Sequence, residues 1–334
     1  MSTAADAELH PSEASTTSWA ETIGFWFAVP EEAIYGNVYV QARPNVGAAI
    51  SAVNVVQGRN PLPYTVDFTD PHVHAPCPPS LLHFELVNGL RVDVPEPPTH
   101  YVFGYRSLNG ACSMELDLRG VMPAWDPHDR EQNPLLAREG VVDTGLGDAW
   151  AGGHLDWVGH VTGRLALRGR SYAVDAMGGM DRSWGPRTEL GESAVGYLHI
   201  PVDDRFGVHL VMSADLVDDD LVYPELRFGY VYDDGEVHGI VDAALEAVHR
   251  DLLPSANRVR VTDDRGRTFS FSGVAVANAP WYSFSPAYGT FQALMRYEHE
   301  GRAAHGVMSD VVGIEFLAAR TSRHGAGTRA VRER

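Results

Sequence analysis

Alternation at a period of two runs through most of this chain and leaves little room for helices. Asn37 to Arg43 (NVYVQAR) alternates apolar and polar residues, and Ala48 to Val56 is a continuous apolar run of strand type. Successive side chains on a strand point to opposite faces, so such stretches bury one face and leave the other free. Turn residues fall where hairpins need them. Leu81 to Val94 reads LLHFELV, Asn88-Gly89, LRVDV, and Asn-Gly suits a tight connection because it tolerates positive φ. The same arrangement recurs about Arg168-Gly169, Asp203-Asp204, Asp233 to Gly235, Asp263 to Gly266 and Glu300-Gly301. Helical patterning is confined to Ala243 to Arg250 and Val312 to Ala319, and either stretch reads equally as a strand.

Roughly sixteen to eighteen short strands are too many for one open sheet. An all-β chain of two consecutive antiparallel β-barrel domains is therefore expected, and 334 residues suffice for both. The first domain is placed at 18–160 and the second at 161–318. Residues 1–17 and 319–334 read as disordered, solvated ends.

All 26 basic residues are arginine, and the net charge is −18. Without lysine, Schiff-base chemistry, pyridoxal phosphate attachment and a phosphate-loop lysine are excluded. The acidic balance argues against nucleic acid and anionic membranes, which both require clustered positive charge. Cys77 and Cys112 suggest no disulfide scaffold. The opening MSTAADAELHPSEAS has neither a basic start nor an apolar run, and no stretch approaches the length of a membrane span. A cytoplasmic protein without a membrane span is the expectation.

Most catalytic signatures are missing. Gly145-Leu-Gly147 lacks a strand–helix context, and neither Gly-x-Ser-x-Gly nor Cys-x-x-Cys occurs. His72 and His74, in Asp70-Pro-His-Val-His74, would share a face of a strand, as two metal ligands should. No third ligand follows at short range, so histidines at the mouth of a loop are the better reading, and no metal is expected. Trp19, Phe25, Trp26 and Phe27 surround Glu21 in SWAETIGFWF. That stretch is either a hydrophobic plug, with Glu21 as a cap, or the wall of an aromatic cavity holding one carboxyl of raised pKa. The aromatic strands around Trp281 to Phe284 and Tyr288 to Phe291 read as core.

The most unusual stretch is DAMGGMDRSWGPR, Asp175 to Arg187. Gly178-Gly179 permits a bulge or sharp bend at a strand end. Asp181, Arg182, Ser183, Trp184 and Arg187 then form either a buried polar network at a domain junction or a proton-transfer site centred on Asp181.

The motif Gly-x-x-Asp-x-Ser-Trp-Gly-x-Arg, with the Trp19 to Phe27 patch and Arg43-Pro44-Asn45, resembles the two-domain lipocalin-like superfamily. That group includes AttH-like proteins, hydroxyneurosporene synthase (the carotenoid 1,2-hydratase), kievitone hydratase and fungal lipocalin-like Diels–Alderases. Asp181, Ser183, Trp184, Gly185, Pro186 and Arg187 match a bacterial branch of it, while Met180 and Arg182 depart from Arg and His there. The likeness spans residues 18 to 318. It implies two lipocalin-like barrels with a pocket at or near their interface. It also implies hydration, dehydration, isomerisation or cyclisation of a hydrophobic small molecule, such as a terpenoid, steroid, polyketide or phenolic, with no redox cofactor.

The resulting expectation is a cofactor-independent lyase or isomerase, foremost a hydratase or dehydratase. Asp181 is the expected proton donor or its orienter, and Glu21 or His74 the complementary group. Trp26, Trp184, Tyr105 and Tyr282 are expected to line the pocket, with His72 and Arg187 as further substrate contacts. A carrier of apolar ligands and a concerted cyclase are the alternatives, and a homodimer is one assembly open to the chain.

Overall fold

The computed structural model of the protein describes residues 2–138, 150–188, 190–285 and 287–321, the side chains of 282–284 excepted. Ten strands form the first sheet: β1 (Trp19–Val29), β2 (Ile34–Arg43), β3 (Ala48–Gln57), β4 (Phe68–Pro76), β5 (His83–Glu85), β6 (Leu90–Glu96), β7 (His100–Arg106), β8 (Cys112–Gly120), β9 (Gly153–Leu167) and β10 (Arg170–Pro186). Their spatial order is β4-β3-β2-β1-β10-β9-β8-β7-β6-β5, curled into a half-barrel with β4 and β5 at its edges. The second sheet holds β11 (Ala194–Pro201), β12 (Phe206–Val217), β13 (Asp220–Asp233), β14 (Glu236–Arg250), β15 (Leu253–Asp263), β16 (Thr268–Ser285), β17 (Tyr288–His299) and β18 (Arg302–Gly313). These follow one another in sequence order and close into a barrel when β11 pairs with β18. Closure leaves that sheet without an exposed edge.

The expected hairpins are present. Arg168-Gly169, Asp234-Gly235 and Glu300-Gly301 each take positive φ at both positions, as tight two-residue turns require, whereas at Asn88-Gly89 only Gly89 does, at 84°. Ala243 to Arg250 belongs to strand β14, and a short helix, α1, spans Ile314–Arg320. Among the described residues no helix is long and apolar enough to cross a membrane.

β9 runs across the 160/161 division drawn from sequence. β9 and β10 both stay in the first sheet, and sheet membership changes between Pro186 and Ala194. The Arg168-Gly169 hairpin reads locally as the start of a new series. Its second strand instead returns to the chain's first strand, pairing Trp19 with Pro186 and Gly24 with Asp181. A contact of such long sequence range leaves no local trace.

The N-terminal residues are packed rather than solvated. Ala7 is buried, Glu8 accepts hydrogen bonds from Ser80 Oγ (2.5 Å) and the Leu81 N–H (2.8 Å), and the His10 ring stacks on Trp184 at 3.9 Å. At the other end, Arg320 pairs with Asp215, and the tail beyond 321 lies outside the described residues.

Alternation divides β1 and β10 into two chemically distinct faces. Ile23, Phe25, Phe27, Met180 and Trp184 join the core inside the half-barrel. Glu21 and Arg182 share that face and form an ion pair at 2.6 Å, with neither side chain exposed. Arg182 also donates to the carbonyls of Glu8, Thr22 and Ser183, and the His10 N–H and Trp19 Nε1 donate to Glu21. Burial opposes the charge of Glu21, but His10 and Arg182 outweigh it and hold the carboxyl below its usual value. These bonds make the pair tolerable in a core even though Arg182 Nε has none, while breaking the pair strands the partner's charge.

Glu21→Ala is therefore expected to destabilise the protein by about 3–5 kcal/mol at neutral pH. Because the folded-state pKa is depressed, this stabilisation is in place above pH 4.5, the ordinary value, and is lost as pH falls below it. Denaturant unfolding at pH 7 checks this, and an unchanged midpoint would contradict it.

Candidate active site

Thr22, Gly24 and Trp26 on β1 alternate with the core residues and face away from the half-barrel interior. On β10, Asp181 and Ser183 do the same, directly opposite Asp156 and His154 of β9. This face meets the outer wall of the closed barrel, and the two sheets are joined there by an apolar layer that includes Trp26, Tyr35, Ala277 and Trp281. Backbone bonds add to the joint: the Asn60 N–H donates to the Asn278 carbonyl (2.8 Å) and the Asn278 N–H to that of Gly58 (3.1 Å). Beside this layer lies a cavity of about 580 Å³, walled by Trp26, Tyr35, Asp181 and Arg187 on one side and Tyr197 and His199 on the other. The interiors of both sheets are filled by their own side chains, so the cavity lies between the sheets.

Asp181 stands on the cavity wall, with no hydrogen-bond or ion-pair partner within bonding distance among the described residues. Burial pushes its carboxyl up to about 6; the nearby His154 and Arg187 charges pull the other way, and that of Asp156 adds to the rise. Room for the group is made by the neighbouring strand. A Cβ at Gly24 would stand 2.1 Å from Asp181 Oδ1, so the carboxyl occupies the space of the missing side chain.

The glycines of the β10 motif act the same way. The β9–β10 register is unbroken from Arg170 to Trp184, so there is no bulge or bend at Gly178-Gly179. A Cβ at Gly179 would instead fall 2.4 Å from Trp26 Nε1 and 2.5 Å from His199 Nδ1. The bare backbone at that position lets a hydrogen bond from Trp26 Nε1 to His199 Nδ1, 2.9 Å long, pass across the joint.

Next to Asp181 lies a second, fully buried carboxylate. Asp156 accepts the hydroxyl hydrogen of Tyr197, and its Oδ2 contacts His154 Nε2 at 2.9 Å and His209 Nε2 at 3.3 Å. Burial alone would raise its pKa, but His154 and His209 together hold it well below the usual carboxylate range. Tyr197 is driven far above its usual value by burial and then by Asp156, so it stays a neutral donor. Indole nitrogen can only donate, which leaves the His199 proton on Nε2, facing the Tyr197 hydroxyl at 3.4 Å. Likewise His209 Nδ1 donates to the Leu198 carbonyl at 2.8 Å. The two carboxyl groups thus have opposite tasks: Asp156 is a fixed charge, and Asp181 is able to exchange a proton near neutrality.

Asp156, His199 and His209 offer ligand atoms within 4.8 Å of one another. The set suits a metal poorly, because Trp26 engages one nitrogen of His199 and the other carries the proton.

Of the residues singled out from sequence, the structure brings together Asp181, Trp26 and Arg187. Glu21 and Trp184 are on the opposite face of the same strands, in the half-barrel core. Tyr105 is inside the half-barrel too, donating to Asp70 at 2.7 Å. His72 and His74 lie on edge strand β4, away from the cavity wall, with His74 exposed. The Tyr282 side chain lies outside the described residues. Sequence reasoning missed His154, Asp156, Tyr197, His199 and His209. The only local sign of them is parity: His154 and Asp156 alternate with Leu155 and Trp157, and Tyr197 with Leu198.

A half-barrel joined to a closed barrel, with the cavity between them, is the two-domain lipocalin-like fold. The chain belongs to the family described as a domain of unknown function, DUF7064, whose model matches residues 3–312. No curated protein matches it by sequence. Among solved structures it is similar to an AttH-like protein from Nitrosomonas europaea, at 12% identity and a TM-score of 0.59 over 88% of this chain and 92% of that one. It is similar also to kievitone hydratase from Nectria haematococca, at 10% identity and a TM-score of 0.54 over 88% and 89% of the two chains.

An unpartnered acid with a raised pKa costs stability. The folded protein holds the Asp181 proton more tightly than the unfolded chain, so ionisation between pH 3.8 and about 6 weakens the fold. A shift of that size amounts to at most about 3 kcal/mol above pH 7. Asp181→Asn is expected to be more stable than the wild type at pH 8 by up to that amount, with the gain vanishing near pH 4. Chemical denaturation at the two pH values checks this. A loss of stability at pH 8 would mean that Asp181 belongs to a structural network.

Proposed function

We propose that the protein is a cofactor-independent lyase or isomerase, foremost a hydratase or dehydratase, acting on a hydrophobic small molecule bound between the two sheets. The observation that carries this reading is the carboxyl of Asp181. It has no bonding partner among the described residues, is pushed by burial up to about 6, and faces an aromatic-walled cavity of about 580 Å³. Addition of water to an alkene begins with proton transfer to carbon, and a neutral carboxylic acid in an apolar wall supplies that proton. The positive charge that develops on the substrate would be eased by the aromatic rings of Trp26 and Tyr35 in the cavity wall. Water adds at the cationic carbon, and its surplus proton returns to the Asp181 carboxylate, which restores the acid. Elimination is the same path reversed, and a double-bond shift uses the same carboxyl to give one proton and take another. No step changes the oxidation state overall, so no redox cofactor enters.

The Asp156 network acts at one remove. It fixes Tyr197 and His199 on the cavity wall, while the proton on Asp181 is held chiefly by burial. Passive carriage of an apolar ligand has no use for an unpartnered acid that weakens the fold, which favours catalysis over a carrier.

The test is a panel of unsaturated isoprenoids and alkenyl phenols, with the gain or loss of water read by mass spectrometry. Asp181→Asn is expected to lower turnover by at least a thousandfold while ligand affinity stays within about threefold. A variant that binds and still turns over would overturn the assignment.

A further inference from the structure

Two guanidinium groups border the same cavity, and each keeps a buried Nε without a hydrogen-bond partner among the described residues. Arg187 is half-buried. It donates from Nη2 to Ser183 Oγ at 2.6 Å and from Nη1 to the Tyr39 hydroxyl at 3.4 Å, and its Nε is buried without a partner. No carboxylate lies within 4.0 Å of it among the described residues. Arg227, from the barrel side, pairs among the described residues with Glu225 (3.2 Å), which is itself 61% exposed, and its Nε is again buried and unpartnered there. In a chain of net charge −18, Arg182 and Arg267 are each paired to a buried acid, whereas Arg187 is a half-buried cation with no counter-charge beside it among the described residues. Burying charge without a counter-charge is costly, and a ligand that brings the counter-charge removes that cost.

We infer that the cavity takes an amphipathic anion, an apolar body carrying one carboxylate or an acidic phenol, with the anionic group seated at Arg187. Guanidinium matches a planar carboxylate through two parallel hydrogen bonds, which fixes orientation as well as affinity. The Ser183 contact holds the guanidinium beside β10, where Ser183 is two residues from Asp181 on the same face. Two residues of strand span about 7 Å. The bound anion would therefore be anchored several bonds from the carbon that Asp181 protonates. Arg227, on the same cavity wall, adds a second positive charge to the site. This assignment rests on the proposed use of the cavity for a hydrophobic substrate but does not depend on Asp181 being the acid.

The test is binding of 2-naphthoate and of its neutral methyl ester to the full-length protein at pH 7.5, followed by tryptophan fluorescence. The wild type is expected to bind the acid at least tenfold more tightly than the ester, the scale of one charge-assisted hydrogen bond. Arg187→Gln should abolish that preference while ester affinity stays within about twofold, which also reports an intact fold. Equal affinity of the wild type for acid and ester overturns the anion site and leaves the hydrophobic cavity standing. Failure of both to bind overturns the cavity reading as well. The wild-type comparison requires no variant to fold, and loss of turnover in Asp181→Asn has no bearing on it.

Discussion

A single carboxylate, that of Asp156, sets the geometry of the joint between the two sheets. It is fully buried, so its charge is sustained by the groups packed against it, two of which come from the other sheet. His154 reaches it from its own strand, and Tyr197 and His209 reach it from the barrel. The sheets therefore cannot slide past each other without stranding a buried charge. That requirement fixes the position of the cavity, the orientation of His199 through Tyr197, and the electrostatic setting of Asp181 one strand away. The Glu21–Arg182 pair does equivalent work on the other face of β1 and β10, where it holds the N-terminal segment against the half-barrel core.

Two neighbouring aspartates with opposite behaviour follow from this arrangement. Asp156 is surrounded by donors and stays charged. Asp181 is largely withdrawn from solvent without a bonding partner among the described residues, and this desolvation outweighs the pull of the His154 and Arg187 charges. Environment, not residue type, makes one a structural anion and the other an acid. The missing side chains of Gly24 and Gly179 belong to the same design, since one makes room for the acid and the other for the Trp26–His199 bond.

Much of the fold is legible in the sequence because strand alternation and hairpin turns are local signals. The barrel hairpins at Asp234-Gly235 and Glu300-Gly301 are read correctly from turn residues alone. The division between the sheets is not, because β10 returns to β1 across nearly the whole first sheet. The site shows the same contrast. Asp181 stands out by its motif, and parity already separates it from Trp184, three residues on, and Trp26 from Glu21, five residues back. Aromatic clustering obscured that parity. The cluster of Asp156, Tyr197, His199 and His209 has no motif, since its members come from three strands in two sheets and meet only when the joint forms.

The central claim is that Asp181 acts as a neutral acid at the joint. The pH dependence of kcat/KM for hydration tests it most directly. Activity should be greatest below pH 6 and fall tenfold per pH unit above it, as Asp181 loses its proton. A profile that is flat from pH 5 to 8 would contradict the account and point to catalysis by cavity shape alone.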